Sequence, residues 1–96
     1  MRSILQNNPH ACYLCRRTSG PLDKHHVFGG ALRRKSEKYG LTVYLCHDSC
    51  HIFGSNSAHQ SGETARYLRK QAQRVAMEKY GWTAEDFRRE FGKNYL

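Results

Sequence analysis

The sequence predicts an α+β domain: an antiparallel hairpin and a helix stapled by a metal, with further helices after them. Three observations carry this. Two cysteine pairs, Cys12-Tyr13-Leu14-Cys15 and Cys46-His47-Asp48-Ser49-Cys50, bracket the first half of the chain. Between them, the stretches Leu22 to Phe28 and Leu41 to Leu45 read as strands. From Ser61 to Tyr80, apolar residues recur with the period of a helix.

A chain of 96 residues makes one domain. Its core falls over about residues 12–59 and a helical extension over about 61–92. So short a chain buries a small core that is marginal unless something staples it. Four cysteines offer either two disulfides or one metal site. Met1 to Gln6 turns polar at once, and no run is long enough to span a membrane. The expectation is therefore a cytoplasmic protein, in which thiols stay reduced and paired spacings favour metal over disulfides. Sixteen Lys and Arg against eight Asp and Glu leave a formal charge of +8. That favours a polyanionic partner, although a merely basic, well-solvated protein carries such charge as well.

Residues 1–11 read as a lead-in, either a short helix or a loose arm, with His10 as a surface histidine. The C-x2-C spacing of Cys12 and Cys15 lets two sulfurs meet one tetrahedral ion. Ser19-Gly20-Pro21 punctuates a loop. The first strand ends in His25-His26-Val27-Phe28. Alternation there puts His25 and Val27 on one face and His26 and Phe28 on the other. Gly29-Gly30 breaks it. Ala31 to Gly40, with Arg33, Arg34, Lys35 and Lys38, is a short helix or an ordered loop.

Leu41 to Leu45 is the return strand, and Cys46 to His59 begins as a helix that Gly54-Ser55-Asn56-Ser57 interrupts. Ser61 caps the longest helix, and Glu63 suits its positive end. Ala65, Leu68, Ala72, Val75 and Ala76 should face the core, with Arg66, Arg69, Lys70 and Arg74 largely elsewhere. Gly81 is its stop. Thr83 caps a last helix in a relative of the capping box with Asp86. Trp82 and Phe87 stand where a hydrophobic staple forms, Phe87 and Phe91 are one turn apart, and Gly92 ends the helix. No repeat, low-complexity tract or linker interrupts the chain.

Cys12 and Cys15 need two partners, and Cys46 and Cys50 are the remaining thiols; on a helix, i and i+4 share a face. Four thiolates around zinc make a closed, structural site that ties the N-terminal loop to the central helix. His47 or His51 in place of Cys50 is the alternative. His25, His26, His51 and His59 form a second group. A metal with three protein ligands and open positions is a catalytic arrangement.

On Cys12-x2-Cys15, Lys24-His25-His26-Val27, Leu45-Cys46-x3-Cys50-His51 and His59, the chain resembles the HNH endonucleases of the ββα-metal, or His-Me finger, class. The likeness is to small phage-type members with a structural zinc held by four cysteines, and it covers about residues 12–59. It implies a zinc-stapled ββα core and hydrolysis of DNA phosphodiester bonds. It also implies His25, His51 and His59 as ligands of a catalytic divalent ion and His26 as general base. Mg, Mn, Ni and Zn are all open as that ion. Where the family carries its middle Asn, this chain has Gly40, Leu41 and Thr42, which bears on the loop between the strands. His59 follows His51 by eight positions, where four is common in the family, so Gly54 to Ser57 must bulge or start a new turn. Asn56 or Asp48 is the alternative should His59 not reach the ion.

Arg33 and Arg34, in the loop between the strands, are the expected phosphate clamp, since Arg contacts phosphate bidentately. The basic face of the long helix either tracks a DNA backbone or faces water. Two other classes stand beside the nuclease. One is a non-catalytic zinc module that binds nucleic acid; the other is a zinc-stapled interaction protein using Trp82, Phe87 and Phe91. Acceptance of RNA and a homodimer for double-strand cleavage are both open.

Overall fold

A computed structural model of the chain describes residues 1–96 except Phe53 and Asn56. The fold is mixed α and β. Strand β1 (Leu22–His26) pairs antiparallel with β2 (Thr42–Cys46), with His25 opposite Val43 and His26 opposite Thr42. Between them lie a 3-10 turn (Gly30–Leu32) and helix α1 (Arg33–Tyr39). A π-helix (His47–Ile52) follows β2 directly. Helices α2 (Gly62–Tyr80) and α3 (Ala84–Phe91) complete the chain.

A two-stranded hairpin is marginal in water without something packed on it. Here the outer edge of β2 and one face of the hairpin are covered. The N-terminal arm runs along β2: Ile4 N donates to Gly40 O at 2.9 Å, Tyr44 N to Gln6 Oε1 at 2.8 Å and Tyr13 N to Tyr44 O at 2.8 Å. The lead-in is thus an ordered arm that satisfies backbone groups an edge strand leaves open. Gly40 makes the approach possible. Its φ is +74°, and a Cβ there would stand 2.6 Å from Arg2 O. On the face, Leu41, Val43 and Leu45 pack with Phe28, Leu68, Ala72, Ala76, Phe87 and Phe91 in one buried cluster.

Helix α1 resolves the stretch between the strands as a helix of seven residues. Its charge gives it little core-facing surface, and a tertiary clasp holds it. Buried Ser36 accepts from Phe28 N at 2.9 Å and donates to Phe28 O at 3.0 Å. The clasp fixes the next residue, Glu37, beside the end of β1.

In α2, Ser61 accepts from Thr64 N at 3.2 Å, and Gly81 closes the helix with φ +67°. Leu68, Ala72 and Ala76 are buried as the periodicity requires, whereas Ala65 and Val75 are only half-buried. Gln73 takes the remaining core position. Its amide donates to Asn94 Oδ1 at 2.7 Å and accepts from Tyr95 N at 2.7 Å, which fastens the C-terminal tail. In α3, Thr83 and Asp86 form a reciprocal capping box at 2.9 and 3.1 Å. The rings of Phe87 and Phe91 stack at 4.7 Å. No helix among the described residues is long and apolar enough to cross a membrane.

Candidate metal centres

The ligand atoms of Cys12, Cys15, Cys46 and Cys50 all lie within 4.8 Å of one another, and none is in a disulfide. The N-terminal half of the site is a knuckle. Arg16 N donates to Cys12 O at 2.9 Å and Cys12 N to Arg17 O at 2.9 Å, with Arg16 in the left-handed region at φ +68°. Cys15 N points at Cys12 Sγ at 3.5 Å. The other half is the junction of β2 with the π-helix. There Cys46 closes the strand and Cys50 returns one wide turn later, so the C-x3-C spacing is taken up by a π-helical turn.

Cys15 Sγ and Cys46 Sγ are 3.8 Å apart. That is far beyond a disulfide and close to the edge of a tetrahedron whose Zn–S distances are about 2.3 Å. Burial would raise the Cys12 thiol, but backbone hydrogen bonds at Cys15, Cys46 and Leu14 outweigh it and bring its pKa down to about 6. Burial and the neighbouring sulfurs push the Cys50 thiol up instead. Four such sulfurs shed their protons together when a cation takes up their charge. The group fits a structural metal such as zinc. His47 and His51 turn away from it toward Asp23.

A second group forms on the other side of the π-helix. Ligand nitrogens of His25, His51 and His59 also lie within 4.8 Å of one another. His59 Nε2 is 3.1 Å from His51 Nε2, and the His25 ring centroid is 5.2 Å from that of His51 and 5.5 Å from that of His59. The eight-residue separation is bridged by the backbone. Ala58 N donates to Cys50 O at 2.8 Å and His59 N to His51 O at 3.1 Å. These bonds rejoin the chain where an uninterrupted helix would have placed residues four positions earlier. Gly54 sits at the fold-back, where a Cβ would collide with Ser49 O. Burial first, then the neighbouring His51 and His59, pushes the His25 pKa down to about 4, so its ring stays neutral with a lone pair free at neutral pH.

His26 points elsewhere, as strand alternation requires. Its Nε2 lies 2.8 Å from Glu37 Oε1, its side chain is 10 % exposed, and it lines the same cleft as the three histidines. The cleft measures about 320 Å³. Lys24, Arg33 and Arg69 bring positive charge to its wall. Arg34 is exposed on α1 and is not among the lining residues. Arg69 contributes from α2, from the face whose sequence left its role open. Asp48 is exposed and joins neither group of ligand atoms. Asn56 lies outside the described residues.

Two acidic residues went unremarked in the sequence. Glu37 meets His26 from α1, and Asp23 Oδ2 lies 2.8 Å from His51 Nδ1 and 2.5 Å from His47 Nδ1. Strand period carried a signal for Asp23, which stands two residues before His25 and therefore on its face. Glu37 had none while α1 was undecided. Comparison of the chain with protein-family models, with curated proteins and with solved structures found no match.

Proposed function

We propose that the chain is a metal-dependent endonuclease that hydrolyses DNA phosphodiester bonds, of the HNH type its motifs resemble. The observation that carries the reading is the division of labour at one cleft. Three imidazoles converge on a point there, while a fourth, on the adjacent strand position, is held apart by a carboxylate. Three imidazoles facing an open cleft suit a divalent ion with free positions, the arrangement of catalytic rather than structural sites.

Bound by His25, His51 and His59, such an ion would supply Lewis-acid stabilisation of the charge that develops on the scissile phosphate and its leaving oxygen. The protein's own part follows from its side chains. With Nε2 of His26 engaged by Glu37, Nδ1 is the nitrogen left to take a proton from an attacking water. Arg33, Arg69 and Lys24 line the approach and suit a phosphate backbone. The net charge of +8 favours a polyanionic substrate that brings those phosphates in.

The test is plasmid nicking with Mg, Mn, Ni and Zn in turn, wild type beside His26→Ala. The reading expects ion-dependent nicking by wild type, abolished by a chelator, and a loss of about 100-fold or more in His26→Ala. No nicking with any ion, alongside retained DNA binding, would make the chain a zinc-stapled nucleic-acid-binding module.

A further inference from the structure

Asp23 belongs to no ligand set expected from the sequence, yet it touches the imidazole group at one atom. It sits on β1 on the same face as His25, and its Oδ2 lies 2.8 Å from His51 Nδ1. An ionised carboxylate only accepts hydrogen bonds, so Nδ1 of His51 is the protonated nitrogen. In the neutral ring that leaves the lone pair on Nε2, the atom 3.1 Å from His59 Nε2 in the three-histidine group. Asp23 also accepts from His47 Nδ1 at 2.5 Å. His47 and His51 stand about one turn apart, so a single carboxylate ties the two ends of one turn of that element.

We infer that Asp23 is a positioning residue for the divalent site: it fixes the tautomer and ring orientation of His51 and so raises the affinity of the three histidines for an ion. The inference rests on the metal-site reading above and names a residue that reading does not require. A carboxylate on the far nitrogen of a metal-binding imidazole raises its basicity and holds its plane, and its loss typically lowers metal affinity 10–100-fold. The inference also gives Asp23 a reason to be acidic at a strand position where a neutral polar residue would pair equally well.

The experiment is calorimetric titration of Mn²⁺ and Co²⁺ into the zinc-loaded 96-residue chain, for wild type, Asp23→Asn, Asp23→Ala and His47→Ala. Zinc content and the circular dichroism spectrum are recorded for each sample. The expected order of affinity is wild type, then Asp23→Asn, whose amide oxygen still accepts, then Asp23→Ala, about 10–100-fold below wild type. Zinc should stay at one per chain throughout. His47→Ala, which removes the second donor to Asp23 but no contact to a ligand ring, should lower affinity less than Asp23→Ala does. Equal affinity in wild type and in folded Asp23→Asn and Asp23→Ala overturns the inference while leaving the metal site standing. A wild-type protein that binds neither ion beyond its zinc overturns the metal site itself, and the inference with it.

Discussion

His25 and His26 are neighbours on one strand, and their side chains meet different company. His25 faces His51 and His59, whereas His26 meets Glu37. Neighbouring positions on a strand point to opposite faces, so one backbone segment can offer both a ligand and a base. Separable defects are therefore expected. Removing His25 or His51 weakens ion binding, and raising the ion concentration should recover part of the cleavage. Removing His26 takes away a proton acceptor, which no concentration of ion replaces. Cleavage rates of His25→Ala, His51→Ala and His26→Ala across a range of Mn²⁺ read this out. Recovery of His26→Ala would mean that base and ligand have been exchanged.

Among the elements, the local signals were legible and the long-range ones were not. The N-cap at Ser61, the box at Thr83 and Asp86 and the glycine stops at Gly81 and Gly92 are chemistry within a few residues, so the sequence shows them directly. Thr83→Ala should cost about 1 kcal/mol in urea unfolding of the zinc-loaded protein, the usual worth of a helix cap. An unchanged midpoint would mean that α3 is held by Phe87 and Phe91 alone.

Helix α1 was undecidable because its stability comes from Ser36 clasping Phe28, eight residues away, and from Tyr39 donating at 2.8 Å to Glu90, 51 residues away, contacts outside the helix itself. The buried position of Gln73 was hidden for the same reason, since its partners are Asn94 and Tyr95. The π-helix was read as the start of an ordinary helix. Its width serves Cys50 and His51, consecutive residues that turn to different ligand groups. The ladder bonds from Ala58 and His59 return the chain to Cys50 and His51 after the intervening residues. Deleting residues 53–56 should preserve zinc content and leave Mn²⁺ affinity at the histidines within about 10-fold, no more than the removal of a residue supporting a ligand typically costs. Loss of zinc on deletion would show instead that the segment builds the site.

For the whole molecule, the two ligand groups share one short element, so a structural metal at the sulfurs also holds His51 at the cleft. Binding releases thiol protons, so zinc affinity should fall as pH falls, and the fold should go with it. Chelation at neutral pH should abolish the cooperative unfolding transition; a folded, zinc-free domain would contradict the staple. Basic charge acts at the same scale. Arg33→Ala together with Arg34→Ala should weaken DNA binding across sequences and flatten its salt dependence, by about 0.9 in log–log slope for each phosphate no longer neutralised. An unchanged slope would return these residues to the solvated surface.

Cleavage by His26→Ala remains the most direct test of the central claim. A labelled duplex is cut under single-turnover conditions at saturating divalent ion, with DNA affinity and zinc content measured on the same preparation. The predicted result is wild-type affinity, one zinc per chain and a rate lower by about 100-fold or more, because a general base acts in the transition state and contributes little to binding. A His26→Ala protein that cuts the duplex at the wild-type rate would contradict the claim.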